Sequence, residues 1–329
     1  MKNNRILVFG ITGQDGSYLI ENLIQKGWEV HGVVRKSATS NTKNIDHLIE
    51  NRDIFKKRLF IHHGDLLDST SIYRLIIQIK PCQIYNEADQ DHVSWSKEIP
   101  DYSIQTTISG PLHIFEAVRV INPEIKVFQP VSSNIFGKSK NIMQTEETAL
   151  NPVSPYGIAK ASVYQLVRYY RSEFNLRLYT SIYYNHESPR RSPEYVTRKI
   201  SLGAVKIKKG LQKELLLGDL DAQIDWGYAP EYMEIATKIM EHDTSDDFIV
   251  ATGKLHSVRD FAKKSFEIIG LNYLDFVKTS ESLIRKTSTS VLVGDNSKLK
   301  EKIGVKPAIH AMQIAEIMVK NDLRLYGGV

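Results

Sequence analysis

RILVFGITGQDGSYLIENLIQKGWEVHGVV, residues 5 to 34, is the stretch whose reading decides the fold. RILVF (5 to 9) is a short apolar run, as a strand covered on both faces requires. GSYLIENLIQKG (16 to 27) spaces its apolar residues at helical intervals and closes on a glycine, and WEVHGVV (28 to 34) reads as a second strand. Strand, helix and strand within roughly thirty residues make a β-α-β unit. Between the first strand and the helix stand Gly10, Gly13 and Gly16, at G-x2-G-x2-G spacing. Glycines let the backbone turn tightly and approach a pyrophosphate, while the free N–H groups and dipole of the helix start favour the anion. In that context the turn predicts dinucleotide binding by Gly10, Thr12, Gly13, Gln14, Asp15 and Gly16.

The alternation continues outward. Strands are expected at RLFIHHGD (58 to 65), CQIYNEA (82 to 88), KVFQPVSS (126 to 133) and LRLYTSIYY (176 to 184), with helices at 69 to 80, 102 to 121 and 156 to 174. Apolar strands alternating with helices give an α/β fold, a doubly wound parallel Rossmann sheet whose ligands sit at the carboxyl ends of its strands. After Tyr184 comes a polar, arginine-rich stretch, NHESPRRSPEYVTRKI, then a helix to Lys209 and a short strand, LLLGD (215 to 219). A helix and the strand DFIVATG, between Asp225 and Thr252, return to the sheet. The expected division is a dinucleotide-binding domain at 1–184 with 225–252, and a smaller C-terminal substrate-binding lobe at 185–224 and 253–329.

Composition narrows the class. The 329 residues are 42% hydrophobic and 25% charged, ordinary globular values that predict a packed core. The formal charge of +5 is spread along the chain rather than gathered into a stripe, so nucleic acid is not an expected partner. No run of 18 apolar residues and no signal-peptide pattern is visible, and the single cysteine, Cys82, suits a reducing compartment. A cytoplasmic protein without a membrane span is expected. Ten histidines show no ligand spacing, so no metal is expected.

Chemistry concentrates at three places. The second strand ends in Arg35 and Lys36, where an NAD site would usually carry a carboxylate; a cation there suits the 2'-phosphate of NADP. Asp65, with Leu66 behind it, follows the third strand and is placed to meet the adenine edge. Tyr156 and Lys160 stand one helical turn apart, with Ser132 on the preceding strand end. A tyrosine is a poor base at neutral pH, but a nearby ammonium stabilises its phenolate, which can then take a hydroxyl proton as hydride leaves the same carbon. Asn134, two residues beyond Ser132, is on the same wall and cannot move a proton.

GITGQDGSYL, EVHGVVRKS, NTKNIDHL, IYNEADQDHV, SPYGIAK, NHESPRR, VTRKI, LGDLDAQIDWG and ATGKLHSVRDF together resemble the GDP-mannose 4,6-dehydratase family of extended short-chain dehydrogenases/reductases. The resemblance runs nearly end to end. It implies a bound NAD(P), a GDP-sugar in the C-terminal lobe, and a homodimer or homotetramer. Carried over position by position, it also implies substrate contacts at Asp91, Asn185, Arg190, Arg191, Thr197, Lys199 and Arg285. Such enzymes oxidise C4 of the sugar, eliminate water across C5 and C6, and return the hydride to C6.

The chain departs from the family at the carboxylate of the elimination step. The family pattern Thr-Ser-Glu is here Ser132-Ser133-Asn134, and an arginine and a carboxylate expected near GDP are replaced by Ile224 and Ser288. Glu87, Asp89 and Asp91 appear where the family is apolar or small. The expectation from these residues is an enzyme that oxidises C4 of a GDP-linked hexose or heptose to the 4-keto sugar without dehydration. The alternatives are a 4,6-dehydratase whose base has moved to Asp89 or Asp91, and a cofactor-bound inactive subunit or sensor. Arg35 favours NADP, whereas a net C4 oxidation favours NAD.

Overall fold

The computed structural model describes residues 3–38, 41–283 and 291–327. Strands and helices alternate in the first part of the chain, except where β5 runs straight into β6: β1 (Arg5–Phe9), β2 (Glu29–Val34), β3 (Leu59–His63), β4 (Gln83–Asn86), β5 (Lys126–Phe128), β6 (Val131–Ser132) and β7 (Leu178–Tyr183). The chain then leaves through β8 (Asn185–Glu187), β9 (Leu215–Leu217) and β10 (Gln223–Tyr228), returns as β11 (Asp247–Val250), and leaves again through β12 (Leu255–Ser257) and β13 (Val277–Thr279). The main sheet runs β11-β7-β5-β4-β1-β2-β3, with β6 beside β7, and all of its pairings are parallel. Strand order reverses between β1 and β4, so a crevice opens at the carboxyl ends of these two strands.

The apolar runs are explained by two-sided burial. Successive side chains of β1 point to opposite faces, Leu7 and Phe9 to one core and Ile6 and Val8 to the other. The first core is closed by helices Ser69–Ile79, Gly110–Ile121 and Pro155–Phe174, the second by helices Gln14–Gln25 and Ala229–Glu241. A third core joins helices Val196–Lys208, Val258–Ile268 and Ala311–Leu325 through Ile200, Phe261, Phe266, Ile314 and Met318. A separate small sheet runs β12-β10-β8, and its strand β8 follows directly on β7.

Several boundaries differ from the sequence reading. The helix expected over 102 to 121 is three pieces, Pro100–Ile104, a π-turn at Gln105–Ser109 and Gly110–Ile121. The strand expected over 126 to 133 divides at Gln129–Pro130, because proline has no N–H to give to the ladder. Asp225 lies in β10, which pairs with β8 and β12, and the return to the sheet begins only at helix Ala229–Glu241 with Pro230 in its first turn. Residues 297–305, expected in the second lobe, also return to the main sheet: Leu299, Ile303 and Val305 pack against its second core. Their apolar signal is too short for periodicity to say which core they join.

Candidate active site

The glycine turn has the shape its composition demands. Gly10 has φ +82°, and a Cβ on it would stand 2.5 Å from the Glu87 carbonyl oxygen; a Cβ on Gly16 would stand 2.2 Å from the Gly10 carbonyl oxygen. Helix Gln14–Gln25 begins at Gly13 without a side-chain cap, leaving its first N–H groups for an anion. Asn44 fixes the turn from outside by donating to the Thr12 carbonyl at 3.0 Å. A turn that packs too closely on neighbouring backbone for a Cβ at Gly10 or Gly16, ending on uncapped N–H groups, fits a dinucleotide pyrophosphate.

The other expected cofactor contacts are placed less uniformly. The Arg35 guanidinium is exposed and donates to the Tyr102 hydroxyl at 2.5 Å. Asp65 folds back on its own loop, its Oδ1 accepting from the Leu67 N–H at 2.9 Å, and Leu66 is buried beneath Gly110.

Ser132, Tyr156 and Lys160 converge. Ser154 caps helix Pro155–Phe174 by accepting from the Gly157 N–H, with Pro155 at the first position, which puts Tyr156 and Lys160 on the turn facing the end of β6. Burial pushes the Tyr156 phenol up to about 12; Lys160 and a hydrogen bond with Ser132 work against this rise, and Asp89 and Asp91 add to it. Asn134 donates through Nδ2 to Ser132 Oγ at 3.0 Å, and its own backbone N–H reaches the same oxygen at 3.3 Å. The amide is thus a holder of the serine.

Two acids lie beneath this wall. Asp89 Oδ2 is 2.6 Å from Lys160 Nζ, with the two side chains only 10% and 9% exposed. Its Oδ1 accepts from Thr107 Oγ1 at 2.5 Å and from the Gln90 N–H at 2.7 Å. Thr107 belongs to the π-turn, where no periodicity or motif in the sequence points to it. Glu87 Oε1 is buried and unpartnered; burial first, then Asp15, push its carboxyl well above the usual range, against the pull of Lys160.

The opposite wall comes from the arginine-rich stretch. Arg191 packs 3.5 Å above the Tyr195 ring centroid and lies 3.4 Å from Glu187 and 3.5 Å from Asp91. Asn185 and Lys199 line the same cleft, whose volume is about 1780 Å³. Two expected substrate residues carry bonds within the protein, Arg190 while lining the cleft and Thr197 away from its surface. Arg190 donates to Glu21 at 2.5 Å and Ser17 at 3.1 Å and stacks over Tyr18, tying itself to the first helix. Thr197 is fully buried and donates to Glu187 at 2.6 Å. Arg285 and Ser288 lie outside the described residues.

His186 joins the arginine-rich stretch to the helix that follows the glycine turn, a role its position inside NHESPRR did not disclose. Its Nε2 is 2.9 Å from Asp15 Oδ2 and its Nδ1 is 2.8 Å from the Tyr184 carbonyl oxygen. Both partners are acceptors, so the ring satisfies them only as an imidazolium. Burial opposes that charge, but Asp15 overrides it and raises His186; Asp15 is lowered in turn, against its own burial. Among the described residues no group of three or more His, Cys, Asp or Glu is arranged to hold a metal, and no helix is long and apolar enough to cross a membrane.

The GDP-mannose 4,6 dehydratase family model matches residues 7–318. The chain is 41% identical over 324 residues to GDP-mannose 4,6 dehydratase 1 of Arabidopsis thaliana, covering 97% of this chain and 90% of that protein. In fold it is similar to RMD of Pseudomonas aeruginosa complexed with NADPH, with a TM-score of 0.80 and 18% identity over 98% of this chain and 99% of that one. It is likewise similar to dTDP-glucose 4,6-dehydratase of Bacillus anthracis in complex with NAD, with a TM-score of 0.82 and 19% identity over 96% and 95% of the two chains.

Proposed function

The chain belongs to the GDP-mannose 4,6-dehydratase family of extended short-chain dehydrogenases/reductases, and from that premise we propose that it is an NAD(P)-dependent enzyme that oxidises C4 of a GDP-linked sugar as the opening step of a 4,6-dehydration. The observation that carries the first step is the convergence of Ser132, Tyr156 and Lys160 on one cleft with Asn185, Arg191 and Lys199. NAD(P) would be held at Gly10, Gly13 and Gly16 and would supply the hydride acceptor. Ser132 holds the C4 oxygen, and Tyr156 takes its proton. Arg191 and Lys199 offer the diphosphate its positive charge, and the buried setting of Tyr156 and Lys160 keeps bulk water from the reacting carbon.

Kinship supports elimination after oxidation. Position 134 has no base, and Asp89 is committed to Lys160 and Thr107. Asp91, on the loop after β4 and with its side chain 59% exposed, is the carboxylate left to handle the C5 proton. A second reading, release of the 4-keto sugar without dehydration, is favoured by one observation, the Asn134 amide spent on Ser132. Arg35 supports NADP for the first reading, and net oxidation supports NAD for the second. On the family resemblance we place the enzyme in the cytoplasm as a homodimer or homotetramer.

Mass analysis of the product from GDP-mannose, with NAD and with NADP, tests the proposal. Loss of water supports dehydration. Loss of two hydrogens with reduced cofactor supports the second reading, and no turnover of GDP-mannose or other GDP-hexoses and GDP-heptoses overturns both.

A further inference from the structure

A buried ammonium beside a catalytic phenol ordinarily makes the phenolate available, because the positive charge stabilises it. Here that ammonium already has an anion. Asp89 Oδ2 lies 2.6 Å from Lys160 Nζ in a site where both side chains are nine-tenths buried, so the pair interacts with little solvent screening. The Pro130 carbonyl accepts a further Lys160 hydrogen bond at 3.4 Å. Asp89 is itself fixed from two elements, by the π-turn through Thr107 and by its own loop through the Gln90 N–H. It therefore cannot swing away without leaving a buried threonine hydroxyl short of this acceptor and a buried ammonium without this counter-charge.

The other titratable groups facing the pair do not replace it. Glu87, just past the end of β4, has its Oε1 unpartnered, and burial works against its charged form. Asp91 faces Tyr156 from the same loop but turns its carboxylate to Arg191, and Tyr195, from the loop after β8, faces Tyr156 beneath that guanidinium.

We propose that Asp89 is a positioning residue that takes up the charge of Lys160, so that Tyr156 keeps its proton at neutral pH and oxidation of a sugar hydroxyl is confined to the alkaline side. Its catalytic consequence rests on the reading of Tyr156 as the proton acceptor at C4. The charge relation itself is testable without sugar or dinucleotide.

The test is the ultraviolet phenolate signal of Tyr156, taken as the difference between each protein and its Tyr156→Phe counterpart and followed with pH while circular dichroism reports the native fold. Asp89→Asn keeps an acceptor oxygen for Thr107 and Gln90 and removes only the charge. Asp89→Ala removes the side chain, and Asp89→Asn combined with Glu87→Gln removes both acids that face the ammonium. The expected result is a phenolate onset about one to three pH units lower in these variants than in the native protein, with Asp89→Glu restoring the native onset. An unmoved onset in folded Asp89→Asn and Asp89→Ala overturns the proposal.

The second arm uses GDP-mannose turnover. The acidic limb of kcat/KM is expected to fall with the onset, raising the rate at pH 7 by about tenfold for each pH unit that the onset drops. If the onset moves but no GDP-sugar reacts at any pH, the functional reading falls and the charge relation stands. If GDP-mannose is turned over and the onset does not move, the reverse holds.

Discussion

At the scale of single residues, the site is governed by which polar atoms are already committed. Asn134 shows this most plainly: its position on the wall was readable from its distance along the chain from Ser132, but its use of Nδ2 to hold Ser132 Oγ required coordinates. Replacing Asn134 by Glu restores a proton-transferring group beside C5, and where such a group limits the reaction its contribution is about 10²–10⁴-fold. The expected outcome for Asn134→Glu is faster loss of water from GDP-mannose, read as the rate of water-loss product by mass spectrometry. An unchanged rate would mean that the carboxylate at this position does not control elimination. Asp89 and Thr107 belong to the same lesson, since 18 residues of sequence separate two oxygens that lie 2.5 Å apart.

At the scale of elements, helix Gln14–Gln25 is latched to β8 and the loop following it. Gln14 Nε2 donates to the His186 carbonyl at 3.1 Å, Ser188 Oγ donates to Gln14 Oε1 at 2.8 Å, Asp15 pairs with His186, and Arg190 reaches Ser17 and Glu21. The element that receives the dinucleotide is thereby held by the element expected to receive the sugar nucleotide. The charge pair makes this latch sensitive to pH. His186 is raised from an ordinary 6.5, so its contribution is full below 6.5 and is lost as pH rises through the folded value. Asp15 is lowered from 3.8, so its contribution is full above 3.8 and is lost as pH falls through the folded value. His186→Gln is therefore expected to lower stability most between pH 3.8 and 6.5, by up to about 3–5 kcal/mol for a broken buried pair. Urea midpoints across pH check this, and the difference from the native protein is expected to shrink on either side of that window.

At the scale of the whole molecule, the second lobe is tied together by Arg198, from helix Val196–Lys208, and Asp322, from helix Ala311–Leu325, a buried ion pair whose carboxylate is fully inaccessible. Asp322→Ala leaves the guanidinium buried and unpaired, and a loss of about 3–5 kcal/mol is expected in urea unfolding. Because Lys199 is the next residue on that helix and lines the cleft, a rise in KM for GDP-mannose larger than the fall in kcat is expected with it. The sequence by itself determined the doubly wound sheet, the glycine turn and the Ser132, Tyr156 and Lys160 constellation. Each of these rests on a short-range pattern: apolar runs buried on two faces, a turn that only glycine permits, and two side chains one helical turn apart. Only the tertiary structure decided that Asp89 occupies the ammonium of Lys160, that Arg190 is bonded to Glu21 and Thr197 to Glu187, and that residues 297–305 return to the sheet. The physical reason is that pairings between charged or apolar groups far apart in the chain depend on which faces meet across the cleft, and no local period records that.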